Sequence, residues 1–128
     1  MFITVLFVGI GGFFGSIFRY LLSGYVQQAS KSVDFPYGTL AVNLLGCFVI
    51  GFLAQLAEAR GVFTPQTRAL VFVGALGGFT TFSSFGNETI NLVRDGQMLG
   101  ALGNVGANVI LGLALVWLGR TVAYWIWR

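Results

Sequence analysis

Gly74-Ala75-Leu76-Gly77-Gly78-Phe79-Thr80-Thr81-Phe82-Ser83-Ser84-Phe85 is a run of small, hydroxyl-bearing and aromatic side chains without a single charge. It sits in the middle of an apolar stretch from about Ala69 to Val93. A hydrocarbon core roughly 30 Å thick is crossed by about 20 residues of helix, so this stretch is long enough to span a membrane. Glycine in a helix interior costs about 1 kcal/mol relative to alanine, and here paired glycines are followed by two threonines. The pattern predicts a spanning helix broken near its middle. Backbone that leaves the helix at membrane depth is tolerated only where it is buried in protein or lines a cavity, which makes the break a candidate site. The alternative reading of the same glycines is close helix packing alone.

Outward from this stretch the chain repeats the apolar theme. Spans are predicted over about 2–25, 39–59, 69–93 and 98–127, separated by the polar segment Gln27 to Tyr37, the loop Glu58 to Arg68 with Gly61 and Pro65, and the turn Arg94-Asp95-Gly96. Of the 128 residues 56% are hydrophobic and 9% charged, against about 25% charged in a soluble domain. The fold class is therefore an all-α membrane protein with four transmembrane helices per subunit, forming one domain over residues 1–128 that leaves no room for a soluble domain. The first span opens Met-Phe-Ile-Thr without a basic lead and has no A-x-A-like site at its end, so it reads as a retained helix rather than a signal peptide.

Several function classes drop out. Cys47 is the only cysteine and histidine is absent, so neither an intrachain disulfide nor a transition-metal site is expected. There is no G-x-x-x-x-G-K-[ST] motif and no nucleophile–base pair built on histidine, so an enzyme is not expected. The net charge of +3 sits at helix ends and reads as interfacial anchoring rather than nucleic-acid binding. Trp117, Tyr124, Trp125 and Trp127 cluster late in the fourth span, as in an aromatic belt at the bilayer surface.

With four spans, Arg60, Arg68, Arg120 and Arg128 lie on one side, against Lys31, Arg94 and a snorkelling Arg19 on the other. That is a weak positive-inside bias, and it suggests insertion both ways round and an antiparallel homodimer. Gly11-x-x-x-Gly15, Gly74-x-x-x-Gly78 and Gly96-x-x-x-Gly100 have the spacing that lets helices approach closely.

Polar groups in hydrocarbon are costly, so each invites a reading. Thr39 and Asn43 lie one turn apart in the second span. Thr80, Ser84, Asn87, Glu88 and Asn91 follow i, i+4, i+7, i+8, i+11 and so share one face of the third helix. In the fourth span Gly100, Asn104, Asn108 and Gly112 repeat every four residues. Taken singly, such residues serve as interhelical glue. Three stripes together favour a polar track of neutral donors with one acid, Glu88, suited to a small anion or a neutral solute rather than a cation. Arg19 either snorkels to the interface or forms an electropositive vestibule that draws anions. Phe82 and Phe85 flank the hydroxyls, and a ring edge carries partial positive charge.

These residues resemble the CrcB/Fluc family of small fluoride channels over nearly the whole chain. The likeness rests on Gly11-Gly12-Phe13-Phe14-Gly15-Ser16-Ile17-Phe18-Arg19-Tyr20, on Gly38-Thr39-Leu40-Ala41-Val42-Asn43 (the family's G-T-L-x-V-N), and above all on Gly77 to Phe85, which is similar to G-G-x-T-T-F-S-T-F with serine at 84 where threonine is frequent. The resemblance implies an antiparallel, dual-topology homodimer in the inner (plasma) membrane, with two fluoride pathways along the interface, whose role is to export fluoride passively and protect the cell. It implies a structural sodium ion at the two-fold axis, held by backbone carbonyls of Gly77 and Thr80. The pore phenylalanines map to Phe82 and Phe85, the pore asparagine to Asn43 and the third-helix glutamate to Glu88. Thr39 and Ser84 join the track, and family polar side chains fall where Asn104 and Asn108 stand, the latter at a place often held by serine. A small multidrug transporter, the main rival, uses an acid in its first helix, and the first span here has none. A purely structural membrane subunit is the second rival, and it leaves the break and the three stripes without a purpose.

Overall fold

The computed structural model describes residues 1–128 as four membrane-length helices without strands: α1 (Phe2–Ser30), α2 (Tyr37–Arg60), α3 (Pro65–Arg94) and α4 (Met98–Ile126). The connections are short and locally tied. α1 runs past position 25, the end expected from the sequence, to Ser30. It ends where Lys31 turns left-handed (φ 55°) and its N–H donates to the Gln28 carbonyl. Gln27 then clamps the turn: its Nε2 donates to the carbonyls of Ser32 (2.9 Å) and Phe35 (3.0 Å), and its Oε1 accepts from the Gly38 N–H (2.9 Å). α3 starts ahead of Ala69 because Thr64 caps it. Thr64 Oγ1 accepts from the Thr67 N–H, Thr67 Oγ1 accepts from the Thr64 N–H, and Pro65 occupies the first turn. Capping of this kind satisfies amides that have no partner inside the helix.

Helices associate in a bilayer through close packing rather than through expulsion of water, and glycine supplies that closeness here. α1 crosses α3 where Gly11 and Gly15 leave no room for a Cβ: one at Gly11 would run into the Leu70 carbonyl, one at Gly15 into the Ala75 carbonyl. Gly74 and Gly78 answer from α3, pressed against Val8 and Gly12. α2 meets α4 the same way, with Gly51 against the Val116 carbonyl and Gly119 against that of Phe48. Gly96 takes no part. It stands in the turn before α4 at φ 75° with open space around it, and of the third small-residue motif only Gly100 meets a neighbour, the Leu92 side chain.

α3 is interrupted at membrane depth. Thr80 (φ −90°, ψ 157°) and Thr81 (φ −148°, ψ 116°) are extended, and they separate a first limb over 65–79 from a second limb, Phe82–Arg94. The first limb is itself widened to π-helix over Ala69–Leu76, and α4 is widened over Ala107–Leu111, where Asn108 lies. Local π turns of this kind are frequent at functional sites. Only 18 residues are buried, with Val42 and Asn104 the largest fully enclosed side chains. The thinness of this core follows from the solvent, since lipid-facing side chains have no need to turn inward.

Candidate functional site

The break is a clasp before it is a cavity. Asn43, from the second turn of α2, binds Thr81 at both backbone atoms: its Oδ1 accepts from the Thr81 N–H (2.8 Å) and its Nδ2 donates to the Thr81 carbonyl (3.1 Å). A side-chain amide replaces the helical partners that an extended residue loses, so the bend costs no unsatisfied backbone at that residue. Thr81 in turn caps the second limb, its Oγ1 accepting from the Ser84 N–H (3.2 Å).

Two hollows adjoin the clasp, and Thr81 lines both. One of about 390 Å³ is walled by Asn43, Cys47, Gly77, Thr80, Phe82, Phe85 and Asn108. The other, of about 310 Å³, holds Arg19, Ser23, Thr39, Ser84 and Glu88. The structure thus brings the expected residues of α2, α3 and α4 to one place, and sets Arg19 on the same hollow as Glu88 without an ion pair between them. The single ion pair of the chain is Arg120 to Glu58 (2.9 Å), at the end of the bundle where α2 finishes. Thr39 Oγ1 donates to Glu88 Oε1 (2.7 Å), while Glu88 Oε2 is enclosed without a partner.

Phe82 and Phe85 face each other with ring centroids 5.4 Å apart and planes at 57°. Phe85 is packed inside, whereas Phe82 stands out on the surface of the chain. Gly77 is exposed as well. The side of the break that carries both is open.

The expected third-helix stripe divides. Ser84 and Glu88 line the second hollow, Asn87 and Asn91 are exposed on the outside, and Thr80 faces the first hollow, with its hydroxyl donating back to the Leu76 carbonyl (3.0 Å). The i, i+4 register assumed a continuous helix, and the extended pair Thr80-Thr81 resets it. Gly46 makes room for the Thr80 methyl, which a Cβ at 46 would overlap.

In α4, Asn108 lines the first hollow, and Asn104 is enclosed at 1% exposure. Asn104 donates to Thr89 Oγ1 (2.9 Å) and accepts at Oδ1 from Asn108 (3.1 Å), so it braces the wall rather than forming its surface. Thr81 and Thr89 carry no signal of this in the sequence. Thr81 acts through its main chain and through the hydroxyl that caps the second limb, and Thr89 is one position off the stripe.

The break also frees carbonyls. In an unbroken helix the Thr81 N–H would bond to the Gly77 carbonyl and the Ser84 N–H to that of Thr80. Those amides go instead to Asn43 Oδ1 and Thr81 Oγ1. Hard neutral oxygens released at one bend are a donor set that suits an alkali cation, so these residues fit the sodium site that the resemblance implies.

The family described as CrcB-like protein, Camphor Resistance (CrcB), matches residues 6–120. The fluoride-specific ion channel FluC of Elusimicrobium minutum is 52% identical over 116 residues, covering 91% of this chain and 90% of the relative. The fluoride-specific ion channel FluC of Methylobacillus flagellatus is 46% identical over 115 residues, covering 90% of each. Fluoride-specific ion channel FluC 3 of Methanosarcina barkeri is 42% identical over 120 residues, covering 94% of this chain and 89% of the relative. Likeness of that extent takes in all four spans and the clasped break, and the chain belongs to the CrcB family of multi-pass membrane proteins.

Proposed function

We propose that this protein is a fluoride-selective passive channel of the plasma membrane that lets fluoride leave the cell. Hydrogen fluoride is a weak acid that crosses membranes uncharged and dissociates inside, so a channel for the anion relieves the cell without an energy source. The observation that carries the reading is the clasped break of α3, whose hollows present amide, hydroxyl and aromatic groups, with Arg19 the only basic and Glu88 the only carboxylic side chain on their walls. The names of relatives more than 40% identical along nearly their whole length support it. Fluoride is small and strongly hydrated, so a dry path must replace its water with donors, each weak enough to let go. Arg19 at the second hollow draws the anion in, Thr39, Ser84 and Glu88 line its approach, and Asn43, Asn108 and the edges of Phe82 and Phe85 flank the next stage.

Two copies pair in antiparallel orientation, with the open side of each break facing the other. The exposed Phe82 and Gly77 favour this arrangement, as does the near balance of basic residues between the two ends. Gly77 and Thr80 carbonyls of both copies would hold the structural sodium ion. When bound, it supplies fixed positive charge beside the path, and the freed carbonyls would otherwise repel one another across the axis.

Purified protein in liposomes loaded with fluoride, read with a fluoride electrode against chloride-loaded vesicles, tests the function. Rapid fluoride efflux that needs only a potassium ionophore, with chloride retained, is the expected result. Retention of fluoride by well-folded protein overturns the reading.

A further inference from the structure

The hydrogen bonds beyond the Asn43 clasp form one directed chain, and backbone atoms set its direction at both ends and at Asn108. At the far end Thr89 Oγ1 donates to the Phe85 carbonyl (2.7 Å), an atom that only accepts. A hydroxyl has one proton, so towards Asn104 this oxygen accepts, and Asn104 Nδ2 donates to it (2.9 Å). Asn104 is thereby obliged to turn Oδ1 to Asn108, whose Nδ2 donates to it (3.1 Å) and to the Asn104 carbonyl (2.9 Å). Asn108 Oδ1 is then left to receive Asn43 Nδ2 (3.0 Å). At the near end the Thr81 N–H, which only donates, requires Asn43 Oδ1 (2.8 Å). Both ends demand the same orientation of all three side-chain amides.

We propose that Thr89 and Asn104 are positioning residues for conduction. They hold Asn108, and through it Asn43, in the one orientation that keeps both Asn43 amide protons engaged, to the Thr81 carbonyl and to Asn108 Oδ1. An anion at the wall of the first hollow gains an amide donor only by displacing one of these bonds, so the chain weakens the site and hastens release. If the Thr89 hydroxyl is lost, Asn104 is free to turn over. A turned Asn104 sets its Nδ2 against that of Asn108, which then keeps only the Asn104 main-chain carbonyl, so the hold on Asn43 and the clasp on Thr81 loosen.

The conduction half of this inference rests on the proposed fluoride channel, and the structural half does not. The experiment compares Thr89→Val, which keeps the shape and loses the hydroxyl, with Thr89→Ser, which keeps the hydroxyl and loses a methyl. Thr89→Val is expected to slow fluoride efflux about tenfold, the scale of one lost buried hydrogen bond, and to speed hydrogen exchange at the Thr81 amide. Thr89→Ser is expected to match wild type in both. A packing role predicts the reverse order, and that order, or Thr89→Val with wild-type efflux and Thr81 protection, overturns the proposal. Should Thr89→Val not fold, Thr89→Ala and Thr89→Ser differ by the hydroxyl alone and carry the same comparison. If wild type itself passes no fluoride, the channel reading fails, and exchange at Thr81 still decides whether Thr89 sets the clasp.

Discussion

Phe82 and Phe85 are in ring contact at 5.4 Å between centroids, yet Phe85 is 8% exposed and Phe82 is 82% exposed. The pair is a buried anchor carrying an outward ring. Phe82→Ile removes the ring edge and leaves the anchor, so fluoride efflux is expected to fall sharply while the elution volume on gel filtration is unchanged. Wild-type efflux in this variant would remove Phe82 from the path. Phe85→Ala, by contrast, opens a cavity beside the second limb and is expected to cost about 3 kcal/mol of stability, read as easier unfolding in a denaturant titration.

Asn43→Ala strips partners from the Thr81 N–H, the Thr81 carbonyl and Asn108 Oδ1 together. Each buried group left unpaired costs about 1–3 kcal/mol. The expected outcome is both loss of efflux and faster hydrogen exchange at Thr81. Loss of efflux with Thr81 still protected would show that Asn43 serves the ion and not the backbone.

Thr39→Val takes away the only hydrogen bond to the Glu88 carboxyl group, whose second oxygen is already without a partner. A partly buried carboxyl with no donor is costly as an anion. Efflux is expected to slow, and Thr39→Ser to restore it. Equal rates in Thr39→Val and wild type would mean that Glu88 is held by something other than this hydroxyl.

The glycine contacts give a prediction on folding alone. Gly15→Ala pushes a methyl against the Ala75 backbone and is expected to destabilise by about 1–3 kcal/mol, the range for overpacking. Gly103→Ala, on α4 with nothing within 4 Å, is expected to be neutral or to stabilise by up to about 1 kcal/mol through helix propensity. Melting temperatures in detergent that rank the two the other way would contradict the packing described.

The four spans and the interruption were legible because they are written in composition: long apolar runs for the spans, Gly77-Gly78 followed by Thr80-Thr81 for the break. Helix ends were less so. Gly24 has open space around it and does not end α1, and the Thr64 cap lies ahead of the apolar run that marks α3. The shared face of Thr80 and Ser84 failed for a physical reason, since a helical register cannot be counted through two extended residues. Asn104 and Thr89 show the remaining limit. An asparagine in an apolar helix announces that it has a partner, but which of several hydroxyls receives it depends on how α3 and α4 rotate against each other. That rotation is a property of the packed pair.

The interruption at Thr80-Thr81 has an electrostatic consequence of its own. The first limb ends there and the second begins there, so the negative pole of one helix dipole and the positive pole of the next meet at the same depth. Freed carbonyls of Gly77 and Thr80 belong to the first pole, and the amide start of Phe82–Arg94 to the second. A single bend therefore offers opposite partial charges a few residues apart, fixed in place and independent of pH. A chain with 9% charged residues has in this way a means of addressing ions of either sign with its main chain, where an ionised side chain would have been expensive to bury.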